Sequence, residues 1–217
     1  MKKFYFIPIL IIILLSCQHL ETEFSCNPEI NEFVIENQEE LSQITIEELS
    51  SYDIKLQRAI FNSWNYQKKR KVWIDKLSYV LKNESFTFTK TEIDHIHLLI
   101  QHINKNYFTD EKIREDLTLR SLFANEWINY AMNKLGWPEE FVAFMVYRLY
   151  TDQTQFEAEL SGLRSLGTDI KTNSEGDCDC NIENDFCGTL DCRSTGCTTT
   201  PSGCGWLWSM PCDGNCY

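Results

Sequence analysis

The sequence predicts a mainly α protein: a helical bundle followed by a small disulfide-rich C-terminal module. Three observations carry that expectation. Apolar residues recur at three- and four-residue spacings across 45–167. Eight of the ten cysteines fall between Cys178 and Cys216. The first sixteen residues have the charge and hydropathy of an export signal. The 217 residues are 43% hydrophobic and 13% aromatic, enough to bury a core. Net charge is −12, from 20 basic and 32 acidic side chains, which argues against a nucleic-acid partner.

At the front, Lys2 and Lys3 precede an apolar run from Phe4 to Leu15 that Pro8 interrupts. As a helix this run is about 18 Å long, against roughly 30 Å of hydrocarbon, so it is too short to span a bilayer. Leu14-Leu15-Ser16-Cys17 resembles a bacterial lipobox, in which the cysteine is lipidated and becomes the new N-terminus. Residues 1–16 are thus expected to be a lipoprotein signal peptide and Cys17 the lipidation site. The protein would then sit in the bacterial cell envelope, lipid-anchored outside the cytoplasm. Residues 18–54 hold ten acids and no Lys or Arg. This acidic membrane-proximal stem, 17–44, has no polybasic segment to attract anionic lipid, so anchoring would rest on the lipid alone.

The helical domain is expected over 45–167. Thr45 and Glu48 form a capping box ahead of Ile46, Leu49, Ile54, Leu56, Ile60 and Phe61. A second helix runs from about Tyr66 to Leu81, with Val72, Trp73, Leu77 and Val80 along one side. A third starts at the Thr89–Glu92 capping box, and Ile93, Ile96, Ile100, Ile103 and Tyr107 form its seam. Thr109, Asp110 and Glu111 suit the start of a fourth, which Gly136 and Pro138 stop. Pro138-Glu139-Glu140 opens a fifth through Leu149, and a shorter sixth carries Phe156, Leu160, Leu163 and Leu166. Short connections predict a bundle of about five or six helices.

Residues 168–177 are polar and include Gly176, which reads as a linker. The forty residues 178–217 cannot offset their chain entropy without staples. Cys178, Cys180, Cys187, Cys192, Cys197, Cys204, Cys212 and Cys216 supply them. In an exported chain the staple is the disulfide. Eight cysteines allow 105 pairings, and the sequence does not choose among them. Cys178 and Cys180 are too close to pair with each other. A metal site is disfavoured, because the segment has no histidine and no Cys-x₂-Cys knuckle. With Cys17 lipidated, Cys26 is left as an odd cysteine.

The segment Cys178-Asp-Cys180-(x₆)-Cys187, then Thr200-Pro201-Ser202-Gly203-Cys204-Gly205-Trp206, then Gly214-Asn215-Cys216-Tyr217, resembles the fulvocin C group of cysteine-rich bacteriocins. The whole chain resembles fulvocin C-related precursors, in which a helical region precedes such a module. The likeness is specific over 178–217 and vague over the helices. It departs at the end, where the family's last two cysteines lie closer together, so it carries no pairing for Cys212 and Cys216. It implies a secreted or surface-held antibacterial peptide.

Enzyme chemistry finds no support. GxGxxG, GxxxxGK[ST], HExxH and GxSxG are all absent. On one helix His95 and His102 would lie about 10.5 Å apart along the axis, with His97 facing away from His95. No catalytic residue, cofactor or metal is therefore expected. Lys68-Lys69-Arg70-Lys71 reads as a solvated turn of helix. Trp206, Trp208 and Tyr217, with Phe186 and Met210, are more apolar bulk than a forty-residue core usually hides; one or two can fill that core, or they form an exposed aromatic rim. Trp206, Trp208 and Tyr217 are therefore expected to contact a target or the membrane interface.

The sequence fits two functions. One is an exported lipoprotein precursor whose C-terminal module is an antibacterial effector acting on a receptor of related bacteria. The other is a surface lipoprotein whose module binds a partner and is never released.

Overall fold

The computed structural model describes residues 24–104, 107–108, 117–166, 178–188 and 190–217. The signal segment, Cys17, the Thr109–Glu111 helix start and the linker 168–177 lie outside the described residues. Among those described, the protein is mainly helical, with nine α-helices followed by a C-terminal region of four disulfides and little strand. The predicted fold class is therefore present.

Helix α1 (Pro28–Glu36) is capped by Asn27, whose side chain accepts from the backbone of Glu29 and Ile30. A short α2 (Gln38–Leu41) follows. Val34 and Leu41 are buried, and α1 packs against α4 (Ile54–Ser63). Among the described residues the helices thus begin at Pro28, and Val34 and Leu41 tie the acidic segment 28–44, expected as part of a stem, into the core. Its acids occupy the outer faces while one residue per turn turns inward.

The expected helix over 46–61 is two helices, α3 (Ile46–Leu49) and α4. The Thr45–Glu48 capping box is present, but the Ser50 and Ser51 hydroxyls bond back to the carbonyls of Glu47 and Glu48 at 2.7 Å. Asp53 then caps a fresh start by accepting from Lys55 and Leu56. Local side-chain bonds here outcompete the continuing helical ladder.

Helices α5 (Tyr66–Lys82) and α6 (Lys90–Asn104) match the expected segments, and Thr89 and Glu92 make the predicted reciprocal cap. Helix α7 (Leu117–Asn133) ends before Gly136, which takes a positive φ of 72°. Helix α8 (Glu139–Val146) ends one turn sooner than predicted, at Tyr147, and α9 (Gln153–Leu166) follows. Neighbours α5–α6, α6–α7 and α7–α8 pack together.

The C-terminal region adds two small antiparallel pairs. Strand β1 (Cys192–Arg193) pairs with β4 (Asn215–Cys216), and β2 (Thr200–Cys204) with β3 (Met210–Cys212). Between β2 and β3 the chain makes a 3₁₀ turn at Trp206–Trp208. Strand β2 lies against α4. Phe186, Trp206, Leu207, Trp208 and Met210 join the same hydrophobic cluster as the helices. The forty-residue end does not need to hide its apolar bulk by itself, because the bundle hides it.

Candidate functional site: the cysteine-rich end and its seat on the helices

The eight clustered cysteines form four disulfides: Cys178–Cys197, Cys180–Cys192, Cys187–Cys216 and Cys204–Cys212. Cys178 and Cys180 take different partners, as the one-residue spacing requires. Cys212 and Cys216 also pair elsewhere rather than with each other. All four bonds close within 178–217. The sulfurs of Cys180, Cys187 and Cys192 lie within 4.8 Å of one another because two bridges run side by side there. Cys26, left odd by the sequence reading, is itself disulfide-bonded and lies against this region, its sulfur 3.3 Å from the Thr199 carbonyl oxygen.

The tip of the β2–β3 hairpin departs most from expectation. Trp206 and Trp208 are 0% and 1% exposed, so neither is the exposed target-contact residue that the sequence suggested. A thin disulfide core would leave them in water; the helical bundle supplies the missing apolar walls. Trp208 packs edge-on against Phe61 and Trp73, with ring centroids 5.5 and 6.3 Å away. Trp206 packs against Trp127 at 5.5 Å and Phe123 at 6.2 Å. Tyr217 remains half-buried at the module's edge, its backbone paired with Asp191 in both directions at 2.8 Å.

The turn that presents these rings is unusual. Gly205 has φ 62° and ψ −155°, a conformation that suits only glycine, and an added Cβ would meet the Asn184 carbonyl oxygen at 2.6 Å. Leu207 and Trp208 follow at φ 52° and 53°. Non-glycine residues there are strained by about 1–3 kcal/mol each, and persist where the surroundings over-determine them. Here burial of both indoles and Leu207 does so.

Polar groups ring the aromatic plug. Trp208 Nε1 donates to the Tyr147 carbonyl at 2.8 Å, and the Ser209 hydroxyl lies 2.8 Å from the Tyr107 hydroxyl. Asn62 Nδ2 donates to the Ser202 carbonyl at 3.1 Å, and the Ser202 hydroxyl donates back to Asn62 Oδ1 at 2.9 Å. The Tyr147 hydroxyl donates to Asn184, whose Nδ2 donates to Asn125 at 3.2 Å.

Buried charge completes the seat. The Asp185 carboxylate accepts from the backbone of Asn181, Phe186 and Gly205 and lies 3.9 Å from the Arg58 guanidinium. Arg58 also donates to the Asp179 carbonyl and reaches the Cys204 sulfur at 3.3 Å. Burial lowers the Arg58 pKa, with Asp185 opposing it. Arg148 pairs with Glu159 at 2.8 and 3.1 Å and donates to the Tyr147 carbonyl at 2.8 Å and the Phe186 carbonyl at 3.5 Å. Lys76, fully buried, points its ammonium at the carbonyls of Phe144, Met145 and Arg148, where the end of α8 leaves acceptors unpaired. Desolvation, and then the Arg148 charge, hold its pKa well below the usual lysine value.

These cations were not singled out from sequence, yet a signal existed. Lys76 sits at helical spacing inside the apolar stripe of Trp73, Leu77 and Val80, and Arg148 is the one charge in 141–150. A lone cation on a core face needs buried acceptors. The basic run 68–71 is partly tied down as well: Lys68 donates to the Ile44 carbonyl at 2.8 Å and Lys69 to that of Asn62 at 3.0 Å.

The three described histidines do not converge. His95 is buried, stacked on Trp127 at 4.4 Å with its Nε2 3.1 Å from the Trp127 carbonyl; His97 is exposed, and His102 stacks on Phe123 at 3.6 Å. Among the described residues no helix is long and apolar enough to cross a membrane. No family model, curated protein or solved structure matches the chain.

Proposed function

We propose that the chain is an exported, lipid-anchored precursor of a cysteine-rich antibacterial peptide, with 178–217 as the effector and the helices as its holder. The observation that carries this reading is the closure of all four disulfides inside 178–217. One backbone cut in 168–177 leaves none of them joining the effector to the helices. The likeness of 178–217 to fulvocin C-type peptides supplies the activity, and the Leu-Leu-Ser-Cys17 sequence supplies the anchor.

The buried tryptophans fit a held effector. A peptide that meets its target through Trp206 and Trp208 is blocked while both rings lie among Phe61, Trp73, Phe123 and Trp127. The effector carries five acids against Arg193. Anionic surfaces repel it, so action depends on a receptor or on aromatic insertion rather than on cationic lysis. A second reading, an interaction module that is never released, is favoured by the shared core of helices and cysteine-rich end.

Growth inhibition of close relatives of the producer separates the two. The oxidised 178–217 fragment, cut from the chain and separated without reductant, should inhibit them, while the uncut chain and the reduced fragment should not. Potency should change little with added salt. Loss of the effect in salt, or an uncut chain as potent as the fragment, contradicts the proposal. An inert fragment favours the second reading.

A further inference from the structure

We infer that the helical part is a binding partner of the cysteine-rich end in its own right: once the chain is cut, its seat keeps or recaptures the freed end as a non-covalent complex. The inference rests on the precursor reading for its biological meaning. Its physical basis is the anatomy of the seat.

The contact surface resembles the energetic centre of a tight protein–protein interface more than a linker-tethered touch. Two tryptophans sit at its middle, fully desolvated and met edge-on by aromatic rings of α4, α5 and α7. Trp, Tyr and Arg in a water-excluded centre, surrounded by hydrogen bonds that keep water out, are the residues that carry binding energy. The surrounding bonds come in complementary pairs across the seam: Asn62 with Ser202, Tyr107 with Ser209, Tyr147 with Asn184. Charge is matched too, the buried Arg58 cation lying 3.9 Å from the Asp185 carboxylate of the cysteine-rich end. None of this depends on the covalent connection through 168–177, because all eight cysteines of 178–217 pair within that segment. The seat is therefore shaped for one ligand, an oxidised peptide presenting Trp-Leu-Trp on a tight turn above a buried carboxylate.

The consequence is antagonism. A helical remnant that remains anchored by Cys17 would hold released effector with its tryptophans covered, and so shield the cell that carries it. Cleavage would be necessary for activity and not sufficient.

The test uses the full oxidised chain with a specific protease sequence inserted after Asn173, cut under native conditions. The cut protein should elute from a size-exclusion column as one species at micromolar concentration, with tryptophan emission unchanged from that of the uncut chain. Asn62→Ala, which removes two bonds at the seam's partly exposed edge, should speed dissociation about tenfold. Arg58→Met, which strands a buried carboxylate, should release the end outright; if it does not fold, Asn62→Ala carries the comparison. In growth assays the unseparated cut protein should be at least tenfold weaker than the same molar amount of separated fragment. Spontaneous separation of the cut wild-type protein overturns the inference, and so does equal dissociation of wild type and Asn62→Ala. An inert fragment alongside a retained complex counts against the effector assignment and leaves the binding established.

Discussion

Trp206 and Trp208 differ in one atom-level respect: Trp208 Nε1 has an acceptor in the Tyr147 carbonyl, whereas Trp206 Nε1 has none among the described residues. Replacement by phenylalanine removes a made bond in one case and an unmet donor in the other. Trp208→Phe should therefore lower stability more than Trp206→Phe, and either residue changed to alanine should cost about 3–5 kcal/mol. Thermal melts of the oxidised protein check both; alanine variants that melt with the wild type would mean the rings are not core. His95 offers a pH signature. Burial lowers its pKa below the ordinary 6.5, with the hydrogen bond to the Trp127 carbonyl opposing. A depressed histidine pKa means the unfolded chain takes up the proton first, so this contribution is present above about pH 6.5 and is lost as the pH falls below it. The melting temperature should drop between pH 7.5 and 5.5, and His95→Phe should flatten that slope. At this scale the sequence revealed residue types but not surroundings: two tryptophans in a short cysteine-rich segment read as exposed because their neighbours come from positions 61 to 127.

The helices were legible where a periodic apolar face coincides with a cap. Thr45–Glu48 and Thr89–Glu92 located the starts of α3 and α6, since the bonds that satisfy a helix end are written within four residues. The break between α3 and α4 interrupts no apolar period, though Ser50, Ser51 and Asp53 carry its cause. In the C-terminal region the presence of disulfides was legible, but the pairing was not, because it depends on which strands meet. The four bridges enclose loops of different length. Cys187–Cys216 spans 29 residues and Cys204–Cys212 spans 8. Loop entropy makes the first worth about 3.6 kcal/mol and the second about 2.5 kcal/mol. Changing Cys187 and Cys216 together to alanine should thus destabilise more than the same change at Cys204 and Cys212, unless the hairpin tip loses its seat. Denaturant midpoints under non-reducing conditions measure the order, and tryptophan emission reports the tip.

One core runs through the molecule. Phe61, Trp73, Trp127, Trp206 and Trp208 belong to one cluster, so helices and cysteine-rich end should lose structure together. Far-ultraviolet circular dichroism and tryptophan emission should follow one transition; two separated transitions would mean independent units. The boundary between helices and cysteines was plain in composition, yet composition cannot show that the two parts share walls, because that is a property of docking. The shared core and the self-contained disulfides together describe a cysteine-rich end seated on the helices, its four bridges all closed within 178–217. The central claim is that the backbone joining this end to the helices is cut in the producing organism. Intact-mass spectrometry of the culture medium tests it most directly. Expected is a peptide beginning between Gly176 and Cys178 and ending at Tyr217, with all four disulfides formed, free in the medium once the capacity of the envelope-held helical remainder is filled. Only full-length chain in the envelope, with no such peptide in the medium of cells that inhibit their relatives, would contradict it.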